Sequence, residues 1–262
     1  DELVLTSDHV GGVIAWDCSG ELPVTRWKIS AHPSTIRALA VSADGKTFVT
    51  GDRDGAVRLW QSSDGKMMRE FPKNEHPIYG LALHPDGKRI ITADRRPQKP
   101  TIQVWDIASG KELLKIEVPE LSGYRRVEDI EWGGIRSLTL SADGSLIMAC
   151  GRAGYDGPAS MLLYDIASGK LHRKLSSTLK GFCYSARCHR DGWVMAASGE
   201  IAKGEFRAWK SDQDKSLADT ATAGPCTALD IHPDSTRFAV TQAIGKSSYP
   251  ETGVLAIYEW QA

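Results

Sequence analysis

The chain is 262 residues long, 41% hydrophobic and 25% charged, with 32 basic against 33 acidic side chains and a formal net charge of -1. That balance leaves no global field to gather nucleic acid or an anionic membrane surface, and no apolar run approaches the roughly 18 residues of a membrane span. Five cysteines (Cys18, Cys150, Cys183, Cys188 and Cys226) are odd in number and lack paired CxxC spacing, which argues against a disulfide framework and for free thiols.

In chain order, the first predicted strands cover residues 3–7, 13–17 and 23–29, and the second of them closes on Trp16. The same apolar run ending in an aromatic recurs at Trp60, Trp105, Tyr164, Trp209 and Tyr258, a spacing of roughly 45 residues that widens once. A tight turn keeps step with it: Ser42-Ala43-Asp44-Gly45, His84-Pro85-Asp86-Gly87, Ser141-Ala142-Asp143-Gly144, His189-Arg190-Asp191-Gly192 and His232-Pro233-Asp234-Ser235. Asp-Gly pairs suit hairpins, because glycine takes positive φ without steric cost.

Between these anchors each unit holds four short runs rich in Val, Ile, Leu and Thr, which read as strands. The expected fold is therefore all-β: a β-propeller of four-stranded antiparallel blades, with six recognisable units. The first unit lacks its innermost strand and the last its outermost. We therefore expect residues 1–262 to be one propeller domain from the C-terminal part of a longer chain, the whole ring having seven blades.

The second unit carries Ala31-His32, the Asp44-Gly45 turn, Phe48-Val49-Thr50-Gly51, Arg53-Asp54-Gly55 and Val57-Arg58-Leu59-Trp60. In this it resembles the WD40-repeat family. The resemblance implies a buried hydrogen-bonded set of four residues locking the blade, here His32, Thr50, Asp54 and Trp60. It also implies that partners meet the start of each innermost strand, at Arg37, Tyr79, Arg136, Tyr184 and Thr227.

Loop lengths point to the same side. In a blade with strands a to d, the long insertions (94–100, 118–134, 151–160 and 243–253) all fall in b–c or d–a loops. With Arg53 of the b–c turn in the second unit, they add Arg95, Arg96, Lys99, Tyr124, Arg125, Arg126, Trp132, Tyr155 and Tyr249, and Arg and Tyr are enriched at interface hot spots. The expected function is a non-catalytic scaffold binding a partner protein or peptide on this b–c/d–a face. The basic excess suits an acidic partner, and nucleic acid is disfavoured.

The alternative is a propeller with a small-ligand or catalytic site at the channel mouth. No HExxH, G-x-S-x-G or metal-ligand spacing nominates a catalytic set, a metal or a cofactor. Cys183 and Cys188-His189 have one spacing seen in covalent haem sites. In register they match strand a positions of the neighbouring unit, and strict alternation would put the two cysteines on opposite faces. The thiols favour a cytoplasmic setting, while the Ala-Ser-Gly-Lys hairpins are similar to those of bacterial relatives and leave an extracytoplasmic one open.

Overall fold

The computed structural model describes residues 3–260, except 97, 126–129, 132, 155, 201–202 and 245–251; of 124–125 and 130–131 it describes the backbone. The chain divides into two compact units, one of Asp1–Asp94 with Gln103–Leu114 and one of Arg95–Ile102 with Lys115–Ala262. No helix among the described residues is long and apolar enough to cross a membrane.

The first unit opens with a three-stranded sheet, β1 (Leu3–Ser7), β2 (Gly12–Asp17) and β3 (Val24–Ser30). A four-stranded sheet follows: β4 (Ile36–Val41), β5 (Thr47–Asp52), β6 (Val57–Gln61) and β7 (Met67–Glu70). The unit also holds most of a third sheet, β8 (Ile78–Leu83), β9 (Arg89–Asp94), β10 (Thr101–Asp106) and β11 (Glu112–Glu117). The middle strands β5, β9 and β10 are buried almost throughout, whereas the outer strands β3 and β11 are mostly exposed, so each of these sheets is covered on both faces at its middle. Val13, Ala31, Ile36, Phe48 and Trp60 fill one core, in which Phe48 stacks between Trp27 and Trp60. Val49, Leu59, Phe71, Ile78, Ile90 and Trp105 fill the next.

After the remainder of that third sheet, the second unit has a 3-10 turn at Pro119–Leu121 and a two-stranded hairpin, β12 (Tyr124–Arg125) and β13 (Ile130–Glu131). Two four-stranded sheets come next. They are β14 (Ile135–Leu140), β15 (Leu146–Arg152), β16 (Pro158–Asp165) and β17 (Leu171–Lys180), then β18 (Phe182–Cys188), β19 (Trp193–Glu200), β20 (Lys203–Lys210) and β21 (Ser216–Thr222). A three-stranded sheet of β22 (Cys226–Ile231), β23 (Arg237–Ile244) and β24 (Thr252–Glu259) ends the chain. The described residues thus form six antiparallel blade sheets, and the expected seventh blade is not among them. On the edge strand β24, Leu255 and Ile257 are 64% and 69% exposed.

The four-residue lock of the second sheet differs from expectation at one position. Trp60 Nε1 donates to Thr50 Oγ1 at 2.8 Å, and Thr50 Oγ1 lies 2.7 Å from His32 Nε2. The carboxylate on His32 Nδ1 is that of Asp52, at 3.0 Å, and Asp54 is exposed in the turn. The reason is strand periodicity: Thr50 and Asp52 are two apart on β5, so both side chains project from the same face. Asp52 Oδ1 also accepts the backbone N–H groups of Asp54 and Ala56, closing the turn. Asp8 repeats that turn bond on Val10 and Gly12 in the first sheet, two residues after Thr6, which accepts from Trp16.

A second correction concerns the cysteines. Cys183 and Cys188 pack into the same core, with Cys150, Met161 and Trp209, rather than on opposite faces. Cys183 pairs with Ser198 and Ser185 with Ala197, so Tyr184 is an extra residue that resets the alternation. All five cysteines are free thiols.

Candidate functional site

The same register slip occurs at the start of the innermost strand of five sheets. Ile36 pairs with Asp52 and Ala38 with Gly51, leaving Arg37 as the extra residue of β4. Tyr79 is extra between Ile78 and Gly80, and Arg136 between Ile135 and Ser137. Tyr184 and Thr227 repeat it on β18 and β22. These are the five positions that the family resemblance marks as partner-facing. A bulge takes its residue out of the ladder and re-aims the side chain, which is how a strand end presents a group away from its own sheet. A sequence signal accompanies it: an apolar residue, the bulged residue, then a small one (Ala38, Gly80, Ser137, Ser185 or Ala228).

In the first unit the bulged residues meet. The Arg37 guanidinium lies over the Tyr79 ring, 5.5 Å from its centroid. Arg53 is exposed in the turn after β5, where its backbone N–H donates to Thr35.

In the second unit a larger cluster forms. The arm of Arg95 packs on the end of the 118–134 insert, its Nε donating to Gly133 O at 3.4 Å and its Cγ touching Gly134. Gly134 takes φ +97 and leads directly into β14, so the insert delivers Arg136. The Arg136 guanidinium sits over the Phe182 ring at 4.6 Å, and that of Arg152 over the same ring at 5.2 Å. Phe182 packs against Tyr184 with ring centroids 5.7 Å apart. Burial pushes the Tyr184 hydroxyl above the usual tyrosine range, while the charges of Arg136 and Arg152 pull it back.

The insert is fixed at its base. Leu121 is fully buried, and its carbonyl accepts from Gly134 N at 2.8 Å. Tyr164 donates its hydroxyl to Glu120 Oε2 at 3.4 Å, and its pKa is pushed upward by burial and then by that carboxylate.

The remaining candidates are dispersed. Arg96 is half-buried, and Lys99 pairs with Glu117 in an exposed contact. Thr227 shares a 2.9 Å hydroxyl contact with Thr241 beside a shallow groove. Tyr124 and Arg125 lie on β12, where only the backbone is described. Arg126, Trp132, Tyr155 and Tyr249 lie outside the described residues. Sequence reasoning missed Arg152 and Phe182. Arg152 falls within the 151–160 insertion without being singled out, Phe182 reads as an ordinary strand start, and only the packing of β15 on β18 brings them together.

The comparisons agree with this architecture. A model of the WD domain, G-beta repeat, matches residues 23–61 and 65–106. Each match covers the outermost strand of one sheet and the first three strands of the next, so sequence repeat and blade are offset by one strand. The chain belongs to the WD40-repeat β-propeller family. This WD40 protein is similar to periodic tryptophan protein 2 homolog of Schizosaccharomyces pombe, 29% identical over 56% of the chain and 17% of that protein. It also resembles target of rapamycin complex subunit wat1 of the same organism, 24% identical over 50% of the chain and 36% of the relative. The match therefore spans well under two thirds of either relative. A chain in a crystal structure of the mitotic checkpoint complex shares the fold with a TM-score of 0.72 at 12% identity, covering 91% of this chain and 70% of that one.

Proposed function

We propose that this WD40 protein is a non-catalytic interaction scaffold whose partner, a protein or peptide, docks on the b–c/d–a side of its blades. One observation carries the reading: the bulged residues present Arg and Tyr side chains, and in the second unit Arg136, Phe182, Arg152 and Tyr184 form one continuous cluster, with Arg95 packed on the Gly133–Gly134 segment that leads into it. Arg and Tyr anchors set in packed surroundings are the composition of an interface hot spot. A relative whose name makes it a subunit of a complex supports the same reading.

The titratable groups do not favour the catalytic alternative. The carboxylates held below their usual range include Asp44, Asp106, Asp143 and Asp165, each accepting hydrogen bonds within its own turn. Their shifts stabilise hairpins and do not converge on one pocket.

The test is capture of a partner from source lysate by the wild type, by Arg136→Ala/Tyr184→Ala, and by Arg37→Ala/Tyr79→Ala. Loss of the partner with either pair supports the scaffold and locates its surface. A partner that both pairs retain in full overturns the assignment of this side.

A further inference from the structure

The chemistry of the partner follows from how two arginines are held in the second unit, an inference that rests on the scaffold reading above. Arg136 is the bulged residue of β14, Arg152 ends β15 and Phe182 opens β18, so two neighbouring sheets build one cluster. Both guanidiniums lie over a single ring, 4.6 and 5.2 Å from its centroid. Arg152 Nε is buried and makes no hydrogen bond among the described residues, and Asp156, an exposed side chain, lies 3.7 Å from its Nη2.

A guanidinium laid on an aromatic face loses water from that face but keeps its N–H edge in the plane. That edge matches a carboxylate, two N–H groups to two oxygens, better than it matches a point charge. Two such groups about one ring suit successive same-side side chains of an extended chain, which repeat at about 7 Å. Nucleic acid fits less well, because non-specific strand binding uses open aromatic faces for base stacking and Phe182 is buried.

We propose that the Arg136–Phe182–Arg152 cluster binds a carboxylate-rich, extended segment of the partner protein, with Tyr184 beside it as an uncharged donor. The probes are fluorescein-labelled 12-residue peptides of alternating Glu and Gly, the Gln counterpart, a version with phosphoserine in place of Glu, and a uridine oligonucleotide of the same length. Fluorescence anisotropy is measured with the wild type, Arg152→Gln, Arg152→Lys and the distant exposed charge variant Lys174→Gln. Melting curves establish that each variant is folded.

The expected result is that the Glu peptide binds more tightly than the Gln peptide and weakens with salt. Arg152→Gln should weaken it about ten-fold, the size of one charge-assisted hydrogen bond. Arg152→Lys should weaken it less, and Lys174→Gln not at all. Equal binding of Glu and Gln peptides, or tighter binding of the phosphoserine peptide or the oligonucleotide, overturns the proposal; so does an Arg152→Gln variant that matches Lys174→Gln. Should Arg152→Gln not fold, the Glu-against-Gln contrast and its salt dependence on the wild type decide. If the lysate partner is lost with Arg136→Ala/Tyr184→Ala while the peptides show no preference, the scaffold reading stands and the acidic assignment alone fails.

Discussion

Tyr164 takes the place in its sheet that Trp60 and Trp105 take in theirs, and its hydroxyl reaches Glu120 in the insert that precedes the sheet. The indoles of Trp60 and Trp105 donate to Thr50 and Thr92 within their own sheets. The phenol instead ties the blade to the segment that delivers Arg136.

Tyr164→Phe removes that bond and keeps the ring. We expect a loss of about 1 kcal/mol, the net worth of one hydrogen bond. Hydrogen exchange should rise in residues 119–123 and 133–135 more than in β16 itself. Uniform exchange across the blade would show that the bond does not hold the insert.

The lock of the second sheet gives a contrast between two aspartates two residues apart. Asp52 is 1% exposed and bonds His32 and two backbone N–H groups, whereas Asp54 is exposed. Asp52→Ala should cost about 3 kcal/mol in chemical denaturation, and Asp54→Ala no more than about 0.5 kcal/mol. The reverse order would return the family position, Asp54, to the lock.

His32 makes stability depend on pH. Its bonds are consistent with one neutral tautomer: Nδ1–H donates to Asp52 and Nε2 accepts from the Thr50 hydroxyl. Burial is the largest influence and lowers its pKa below the ordinary 6.5, outweighing the attraction of Asp52. The unfolded chain then binds the proton more readily than the folded one, so stability is full above pH 6.5 and falls as the pH drops below it. Denaturation midpoints measured from pH 7.5 to 5 should decline, and His32→Gln should flatten that slope while lowering stability throughout.

Ser235 has φ +61 at the turn position where Gly45, Gly87, Gly144 and Gly192 stand in the other units. A side chain there is strained, and glycine is not. Ser235→Gly should raise stability by about 0.5–1 kcal/mol, leaving intact the backbone carbonyl that lies 2.8 Å from His189 Nε2. A variant that melts lower would mean that the serine side chain contributes more than its backbone costs.

What the sequence by itself determined is the repeat. Recurrent closing aromatics and Asp-Gly turns require only local geometry, so strands such as Leu3–Ser7, and the succession of six units, were readable from residue order. The resemblance to the WD40 family singled out one residue near the start of each innermost strand, and the apolar–variable–small pattern around it is local too.

Tertiary structure decided what those positions do. That Asp52 faces His32 depends on β5 continuing through Asp52 before the chain turns, a matter of where a strand ends. That Cys183 and Cys188 share a face depends on a bulge that breaks strict alternation. Arg152 and Phe182 entered the candidate site only when β15 packed on β18, because the two residues are thirty positions apart and no local rule relates them. Strand identity is a property of neighbours in sequence, whereas a cluster of two cations on one ring is a property of neighbours in space.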